Sequence, residues 1–291
     1  MKATMSSNLI SFAIFVDYCR RACKMSEKKT KKKGGLSIIP VILLVVFLGV
    51  AVFSLIKIIT INSEYKESEK EYNDIAKDAV IFVDDSDQQA GDSAIIPYPL
   101  FNHEYLKERN SDYVGWIQID DTEVNYPVTY GVDNEYYVKH SFDGRWTSSG
   151  CIFTDCRNAA DFSSFQTILY GHSMLDHSMF FTLQRYPRSD FFYSHQNVEI
   201  YRDNKLFIYT AFSFFKTESD SYVYFTDLNS ESDNQAFANR LIRDSYYNTG
   251  ISVSGSDKII TLSTCVNPTG PERWVLHCKL TDVIDLSEYY H

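Results

Sequence analysis

Cysteine is the residue type in this sequence best suited to nucleophilic chemistry, and one cysteine has a distinctive setting. Cys265 ends an apolar, β-branched run at residues 258–265, and the turn-forming residues 266–271 follow it. A thiol at the end of a strand that opens into a loop is accessible to a substrate. Because a cysteine nucleophile reacts as the thiolate, it needs a positively charged neighbour.

Two other residues could complete such a site. His172 follows a strand-like run at residues 167–170 and Gly171, which permits a sharp turn. Arg273 begins the last strand-like run, and its guanidinium could hold a substrate carbonyl or an oxyanion. By chemistry alone, a lone cysteine is more often a core residue, and a lone histidine or arginine more often a surface residue. The spacing does not separate His172 from six other histidines: His103, His140, His177, His195, His277 and His291.

The other cysteines have simpler explanations. Cys151 and Cys156 are five residues apart, and we favour buried small hydrophobic residues over one side of a disulfide. Cys278 joins them in the part of the chain beyond the apolar segment, whereas Cys19 and Cys23 precede it. The sequence has no CxxC pair and no HxxxH spacing to support a zinc site.

Short aromatic and β-branched runs dominate the C-terminal two thirds of the chain, which predicts a mainly β domain with helices in its connections. Eight strands are enough to close a barrel or to form a sandwich. Helices are predicted at residues 101–110 and from Ser230 onward, where Asp233 completes a partial capping box. The predicted strands are residues 114–119, 124–129, 151–154, 167–170, 198–201, 205–215, 258–265 and 274–280.

Charge and hydropathy divide the chain. Its net charge of -10 argues against nucleic-acid binding. Residues 1–35 carry nine Lys and Arg against two acids, a charge of +7, and the remainder carries 19 bases against 36 acids, a charge of -17. Residues 36–56 carry no charge and are long enough to cross a bilayer. The lysine cluster at residues 28–33 predicts that the N-terminus is cytoplasmic and the C-terminal part extracellular.

These features predict four segments. Residues 1–35 form a basic cytoplasmic tail, residues 36–56 an uncleaved transmembrane anchor, and residues 57–94 a stalk and linker. Within that stalk, residues 62–78 read as a solvated helix or tether. Residues 95–291 form the working domain. The first 24 residues are atypical of an anchor, and Met25 is the alternative start of the protein.

Several motifs in order resemble those of one family. Residues 261–265, TLSTC, resemble the active-site motif of class B sortases, the cysteine transpeptidases of Gram-positive cell surfaces. Residues 170–174, YGHSM, resemble the family's histidine motif, and residues 273–277, RWVLH, resemble its arginine strand. Upstream segments at 124–128, 133–137 and 150–158 extend the resemblance over about residues 100–280. Cys151 and Cys156, and the short loop 266–272 with two prolines, depart from the family pattern.

The resemblance implies an eight-stranded sortase-like β-barrel behind the membrane helix, and a two-step acyl transfer. Cys265 would attack a Thr carbonyl in the C-terminal sorting signal of a secreted protein, with His172 and Arg273 assisting. Ser263, Thr264 and, more weakly, Asn134 would line the substrate groove. No cofactor is implied, and no calcium-loop pattern is present. The acceptor would be an amine of a lipid-linked peptidoglycan precursor.

Three alternatives stay open at this point. A pilus polymerase would use the same three residues with a pilin lysine as acceptor. A cysteine protease would transfer the acyl group to water instead of an amine. A non-catalytic surface-binding β-domain would have no need of Cys265, His172 and Arg273 together.

Overall fold

A computed structural model describes residues 38–81, 98–228 and 230–290. Predictions that fall outside these residues are the basic tail with its lysine cluster, the alternative start, Cys19, Cys23, His291 and most of the acidic linker. The chain divides into two units, one ending at Lys57 and the other beginning at Ile58. Each unit is described by itself.

Helix α1 (Ile38–Ala79) opens the described chain. Its residues up to Ile56 are exposed and, apart from Ser54, apolar. By length and composition this helix is a candidate membrane span, in agreement with the apolar segment expected at residues 36–56. Pro40 lies in the first turn of the described helix, where a missing backbone N–H costs least.

The strands and remaining helices belong to the unit that begins at Ile58. A two-stranded ribbon pairs β1 (Val80–Ile81) with β2 (Leu100–Phe101). In chain order the remaining elements are α2 (His103–Arg109), β3 (Tyr113–Gln118), β4 (Asn125–Tyr130), β5 (Ile152–Thr154), β6 (Gln166–Tyr170), α3 (Ser189–Ser194), β7 (Asn197–Arg202), β8 (Lys205–Glu218), α4 (Glu231–Asp244), β9 (Ile259–Cys265) and β10 (Glu272–Asp285).

Strands β3 to β10 close a barrel in the order β10-β8-β7-β3-β4-β5-β6-β9. Neighbours pair antiparallel except β4 with β5 and β6 with β9, which are parallel. These are the eight strands expected from the sequence, and the barrel decides against the sandwich. Full closure leaves no unpaired strand edge in the barrel.

Two apolar clusters stabilise this unit. The larger joins residues of the barrel strands to residues of α1, β2 and α2. It includes the fully buried Trp116, which stacks on Phe101 with ring centroids 4.8 Å apart. The smaller lies under α4, where Phe237 and Leu241 pack against strand residues such as Phe215. Ser230 caps α4 by accepting a hydrogen bond from the backbone N–H of Asp233 (3.1 Å), as the capping pattern predicts.

The second half of α1 differs from the solvated stalk expected at residues 62–78. It is helical, but one face is buried against the barrel. Tyr72 donates a hydrogen bond to the Gly150 carbonyl at 2.7 Å, and Ser68 pairs with Thr147 at 2.7 Å. This face mixes the polar Ser68 and Glu71 with Tyr72, Ile75 and Ala79, so it lacks the broad, unbroken apolar stripe by which a docked helix is recognised in a sequence.

Replacing Tyr72 with Phe tests this contact. The variant leaves the buried Gly150 carbonyl without its partner, which should lower the free energy of unfolding by about 1–3 kcal/mol. Denaturant titration of the detergent-solubilised chain, followed by tryptophan fluorescence, measures the change. Tyr193→Phe is the matched control, because its hydroxyl bonds the Asn248 carbonyl at an exposed site. Equal stability of the two variants would show that the helix contact contributes nothing.

Candidate active site

The parallel pairing of β6 with β9 brings the histidine and cysteine segments together. Tyr170 lies opposite Ser263 in the register. Beyond the strand, the backbone N–H of Gly171 donates to the Ser263 carbonyl at 3.2 Å, and the Thr264 hydroxyl donates to the Gly171 carbonyl at 2.7 Å. Because parallel strands end at the same edge of a sheet, His172 and Cys265 emerge side by side.

The antiparallel pairing of β9 with β10 adds the arginine. Arg273 lies directly opposite Cys265 in the register. The intervening loop is closed by a hydrogen bond of 3.0 Å from the Val266 N–H to the Glu272 carbonyl. Paired residues of neighbouring strands share one face of the sheet, so the Cys265 and Arg273 side chains are on the same side.

These segments surround a cavity of about 560 Å³. Four aromatic side chains contribute to its walls: Phe153, Tyr170, Tyr224 and Phe225. All the site residues expected from the sequence contribute to the lining: Asn134, His172, Ser263, Thr264, Cys265 and Arg273.

The imidazole of His172 is oriented by the backbone. Its Nε2 lies 2.8 Å from the Val138 carbonyl oxygen. A carbonyl can only accept a hydrogen bond, so Nε2 carries a proton in both the neutral and the charged imidazole. This leaves Nδ1 as the nitrogen that can exchange a proton.

We expected Gly171 to permit a sharp turn, but the structure gives a different reason for a glycine at this position. Its φ is not positive. A Cβ at this position would lie 2.5 Å from Ile152 Cδ1 and 2.8 Å from the Phe180 ring. The residue before His172 is therefore glycine because packing against Ile152 of β5 and the Phe180 ring leaves no room for a side chain.

The two arginines of the cavity differ in their partners. Arg157 forms a two-point ion pair with the buried Asp155, with Nη2 2.6 Å from Oδ2. Burial acts to raise the pKa of Asp155, but hydrogen bonds from Arg157 and Tyr170 outweigh it and lower the pKa to about 2. Among the described residues Arg273 has no ion pair; its Nη1 donates to the Gly270 and Glu272 carbonyls at 2.9 and 3.0 Å. Arg273 thus keeps an uncompensated charge beside Cys265.

Tyr224 lines the cavity but belongs to no motif that the sequence analysis identified. It lies in a 3₁₀ turn (Tyr222–Tyr224) between β8 and α4, and its hydroxyl is 2.9 Å from Ser263 Oγ. Burial raises the pKa of Tyr224, and the charges of Arg273 and Cys265 act on it in opposite directions. The Ser263 hydroxyl therefore already has a protein partner. Asn134 is similarly engaged, since its Oδ1 accepts from the Cys156 N–H at 2.8 Å.

The structure separates His172 from the other described histidines. His140, His177 and His195 stack on Tyr136, Phe181 and Phe191 respectively. His103 and His277 lie elsewhere, and His277 is wholly buried. His172 is the one among the described histidines that lines the cavity.

The remaining described cysteines are free thiols. Cys151 and Cys278 are buried, which confirms the small-hydrophobe interpretation for Cys151, while Cys156 is half-buried. Burial raises the pKa of Cys151 to about 12 and also raises that of Cys278, which keeps both as inert thiols. Among residues 38–81, 98–228 and 230–290, no cluster of His, Cys, Asp and Glu could hold a metal ion.

A closed barrel with cysteine, histidine and arginine around one cavity has the composition of a cysteine-dependent acyl-transfer enzyme. Residues 117–281, more than half of the chain, match the family model described as the sortase domain. The chain therefore belongs to the sortase family of cysteine transpeptidases, and its relatives place it in class B.

Three of these relatives illustrate the match. Sortase B of Listeria monocytogenes is 36% identical over 177 residues, which are 60% of this chain and 72% of the relative. The structure of sortase B from Bacillus anthracis superposes with a TM-score of 0.65 at 30% identity and covers 76% of this chain and 100% of that one. A Staphylococcus aureus sortase B–substrate complex gives a TM-score of 0.58 at 33% identity, with 62% of this chain and 84% of that one covered.

The buried His277 makes stability depend on pH. Its Nδ1 is 2.8 Å from Thr261 Oγ1, and burial lowers the pKa of His277 to about 3. As pH falls below about 6.5, His277 becomes protonated in the unfolded chain but stays neutral in the folded protein. The free energy of unfolding therefore decreases toward acid pH. Between pH 7.5 and 5 the loss from this residue should be about 2 kcal/mol.

Denaturant titrations at several pH values check this expectation. His277→Gln removes the titrating group and should flatten the dependence between pH 5 and 6.5. Above pH 8 the two proteins should show the same slope, which provides an internal control. An unchanged slope at pH 5 to 6.5 in the variant would contradict the assignment to His277.

Proposed function

We propose that this chain is a membrane-anchored class B transpeptidase that cleaves the C-terminal sorting signal of a secreted protein after Thr. It then transfers the acyl group to an amine of a lipid-linked peptidoglycan precursor. The observation that carries the proposal is that Cys265, His172 and Arg273 line one cavity, where β6 and β9 end and β10 begins. The relationship to sortase B proteins supports the substrate class.

In the first step the Cys265 thiolate attacks the Thr carbonyl carbon. The carbonyl electrons move to oxygen, and the Arg273 guanidinium stabilises the developing oxyanion. The scissile C–N bond then breaks, and the departing nitrogen takes a proton from His172 Nδ1. The products are a thioester on Cys265, a free amine and a neutral imidazole.

In the second step the acceptor amine attacks the thioester carbonyl. His172 Nδ1 removes a proton from the attacking nitrogen, and the C–S bond breaks to release the Cys265 thiolate. The enzyme returns to its starting charge state, with an amide bond formed for the one that was cleaved. Every step uses groups of the chain and its two substrates, so the proposal requires no cofactor.

The groove for the signal peptide follows the cavity. We assign Ser263, Thr264 and Asn134 to its walls. Their side chains are already hydrogen-bonded within the protein, so they shape the groove and hold its aromatic walls. Arg157 also lines the cavity, and its ion pair with the buried Asp155 leaves no net charge there.

The proposed topology places the catalytic domain, residues 95–291, outside the cell. Residues 36–56 cross the membrane, and the basic tail stays in the cytoplasm because lysine clusters remain on the inner side. The apolar, exposed helix from Ile38 supports the anchor. An extracellular domain can reach both a secreted protein and a lipid-linked precursor at the outer membrane surface.

A peptide assay tests the reaction. The detergent-solubilised chain is incubated with fluorogenic peptides of the NPxTx and LPxTG types, with and without an amine. Cys265→Ala should lower the cleavage rate by a factor of about 10³ or more, because Cys265 is the one described cysteine that lines the cavity and it forms the proposed thioester. Product mass in the presence of amine distinguishes transfer from hydrolysis.

Cys156→Ala is the matched control, because this half-buried thiol is not among the cavity residues. It should retain wild-type cleavage. If no peptide is cleaved, or if Cys265→Ala cleaves as well as the wild type, the proposed function is wrong. Hydrolysis alone in the presence of a range of amines would favour a protease.

Arg273 allows a second test. Arg273→Ala removes the proposed oxyanion partner and should lower kcat by about 10²- to 10³-fold with a small effect on KM. Arg273→Lys keeps the charge but not the planar fork and should be intermediate. Arg188→Ala, which disrupts an ion pair with Asp190 at the exposed surface, serves as the control. A rise in KM with unchanged kcat would assign Arg273 to substrate binding instead.

A further inference from the structure

Gln184 contacts several segments of the active site, but the mechanism proposed above gives it no role. It lies in the 3₁₀ turn Phe180–Arg185, whose Phe180 and Leu183 are buried. Its side-chain nitrogen lies 2.9 Å from the Cys265 carbonyl and 3.1 Å from the Val266 carbonyl. These two contacts fix the backbone where β9 ends and the loop begins.

The same side chain reaches the other two segments of the site. Its nitrogen is also 3.0 Å from Ser173 Oγ, next to His172. Its oxygen accepts a hydrogen bond of 2.9 Å from Trp274 Nε1, next to Arg273. One amide therefore joins the segments that carry all three proposed catalytic residues.

The orientation of this amide follows from its partners. Two backbone carbonyls can only accept, so they must face the NH₂ group of Gln184. The indole N–H of Trp274 can only donate, so it must face the carbonyl oxygen. The reverse orientation would place like groups against each other at three contacts, which leaves a single arrangement.

Few other residue types could make this set of contacts. A glutamate has the same shape, but its carboxylate cannot donate to the Cys265 and Val266 carbonyls and would add a negative charge beside the thiolate. A methionine has nearly the same length and fills the space without hydrogen bonds. The donor and acceptor ends of the amide are thus both in use.

We propose that Gln184 is a positioning residue that sets the relative placement of Cys265, His172 and Arg273. The proposal rests on the function proposed above, since it assumes that these three side chains act together. Cys265 is paired with Arg273 of β10, but the pairing of β6 with β9 ends at Tyr170 and Ser263. The histidine loop therefore lies beyond the strand pairing that would place it against Cys265. The amide of Gln184 holds these ends at one spacing.

A loss of this spacing should appear in the chemical step. Misplacement of reacting groups by about 1 Å can cost about 10²-fold in rate. Gln184 is not among the cavity residues, so its replacement should leave the binding walls intact. We expect Gln184→Met to lower kcat by about 10- to 100-fold while KM stays within about threefold.

The experiment uses the detergent-solubilised full chain and the peptide that the wild type cleaves best. Gln184→Met and Gln184→Glu are compared for kcat and KM, and Gln184→Glu should lose at least as much kcat as Gln184→Met. The rate of Cys265 alkylation by iodoacetamide at pH 7, followed by mass spectrometry of its peptide, should fall in both variants. If Gln184→Met does not fold, the isosteric Gln184→Glu decides the question.

Gln196→Met is the matched control. The side-chain nitrogen of Gln196 donates to the Ala211 carbonyl at 3.2 Å, at a half-buried site outside the cavity. It should lower the melting temperature without changing kcat. If Gln184→Met behaves in the same way, Gln184 is only structural and the proposal is wrong.

The outcome also separates this proposal from the proposed function. If the wild type cleaves and Cys265→Ala does not, but both Gln184 variants keep full kcat, only the positioning role fails. If the wild type cleaves no peptide, the proposed function fails. The alkylation rates would still decide whether Gln184 controls the reactivity of Cys265.

Discussion

The parallel pairing of β6 with β9 is the constraint on which the site depends. The two strands are far apart in the chain, and the register sets Tyr170 opposite Ser263. A parallel pair needs a long crossover connection, and here the connection contains β7, β8 and α4. The insertion that carries α4 and Tyr224 is therefore both the link that makes the pairing possible and a wall of the cavity.

Core packing along β9 also stabilises the strand register that positions the site. Along β9, Ile260 and Leu262 belong to the barrel cluster, whereas Ile259 belongs to the cluster under α4. A register slip of one residue would exchange the two faces of β9. Ile260 and Leu262 would then leave the barrel cluster, and Ile259 would leave the cluster under α4. It would also move Cys265 to the face of Leu262. The apolar pattern that stabilises the barrel thus fixes the face on which the thiol emerges.

Much of this arrangement is visible in the sequence. The β-branched runs predict all eight barrel strands, and the motifs around Cys265 and His172 identify the family before any geometry is known. What the sequence did not reveal depends on contacts between distant segments. Gln184 and Tyr224 stand in no motif, because most of their partners are 39 to 90 residues away. The docked face of α1 was missed for a related reason, since its few apolar residues are mixed with the buried Ser68 and Glu71, and its hydrogen bonds reach partners more than 70 residues away.

Electrostatics explains why the cavity has two arginines but one reactive centre. Arg157 is matched by the buried Asp155, and removal of either charge would leave the other uncompensated. Arg273 is bound only through backbone carbonyls among the described residues, so its positive charge remains available to an oxyanion or a thiolate. Backbone carbonyls orient a guanidinium without neutralising it. Arg157 is neutralised by an ion pair and Arg273 is not. The available positive charge of the cavity therefore lies next to Cys265.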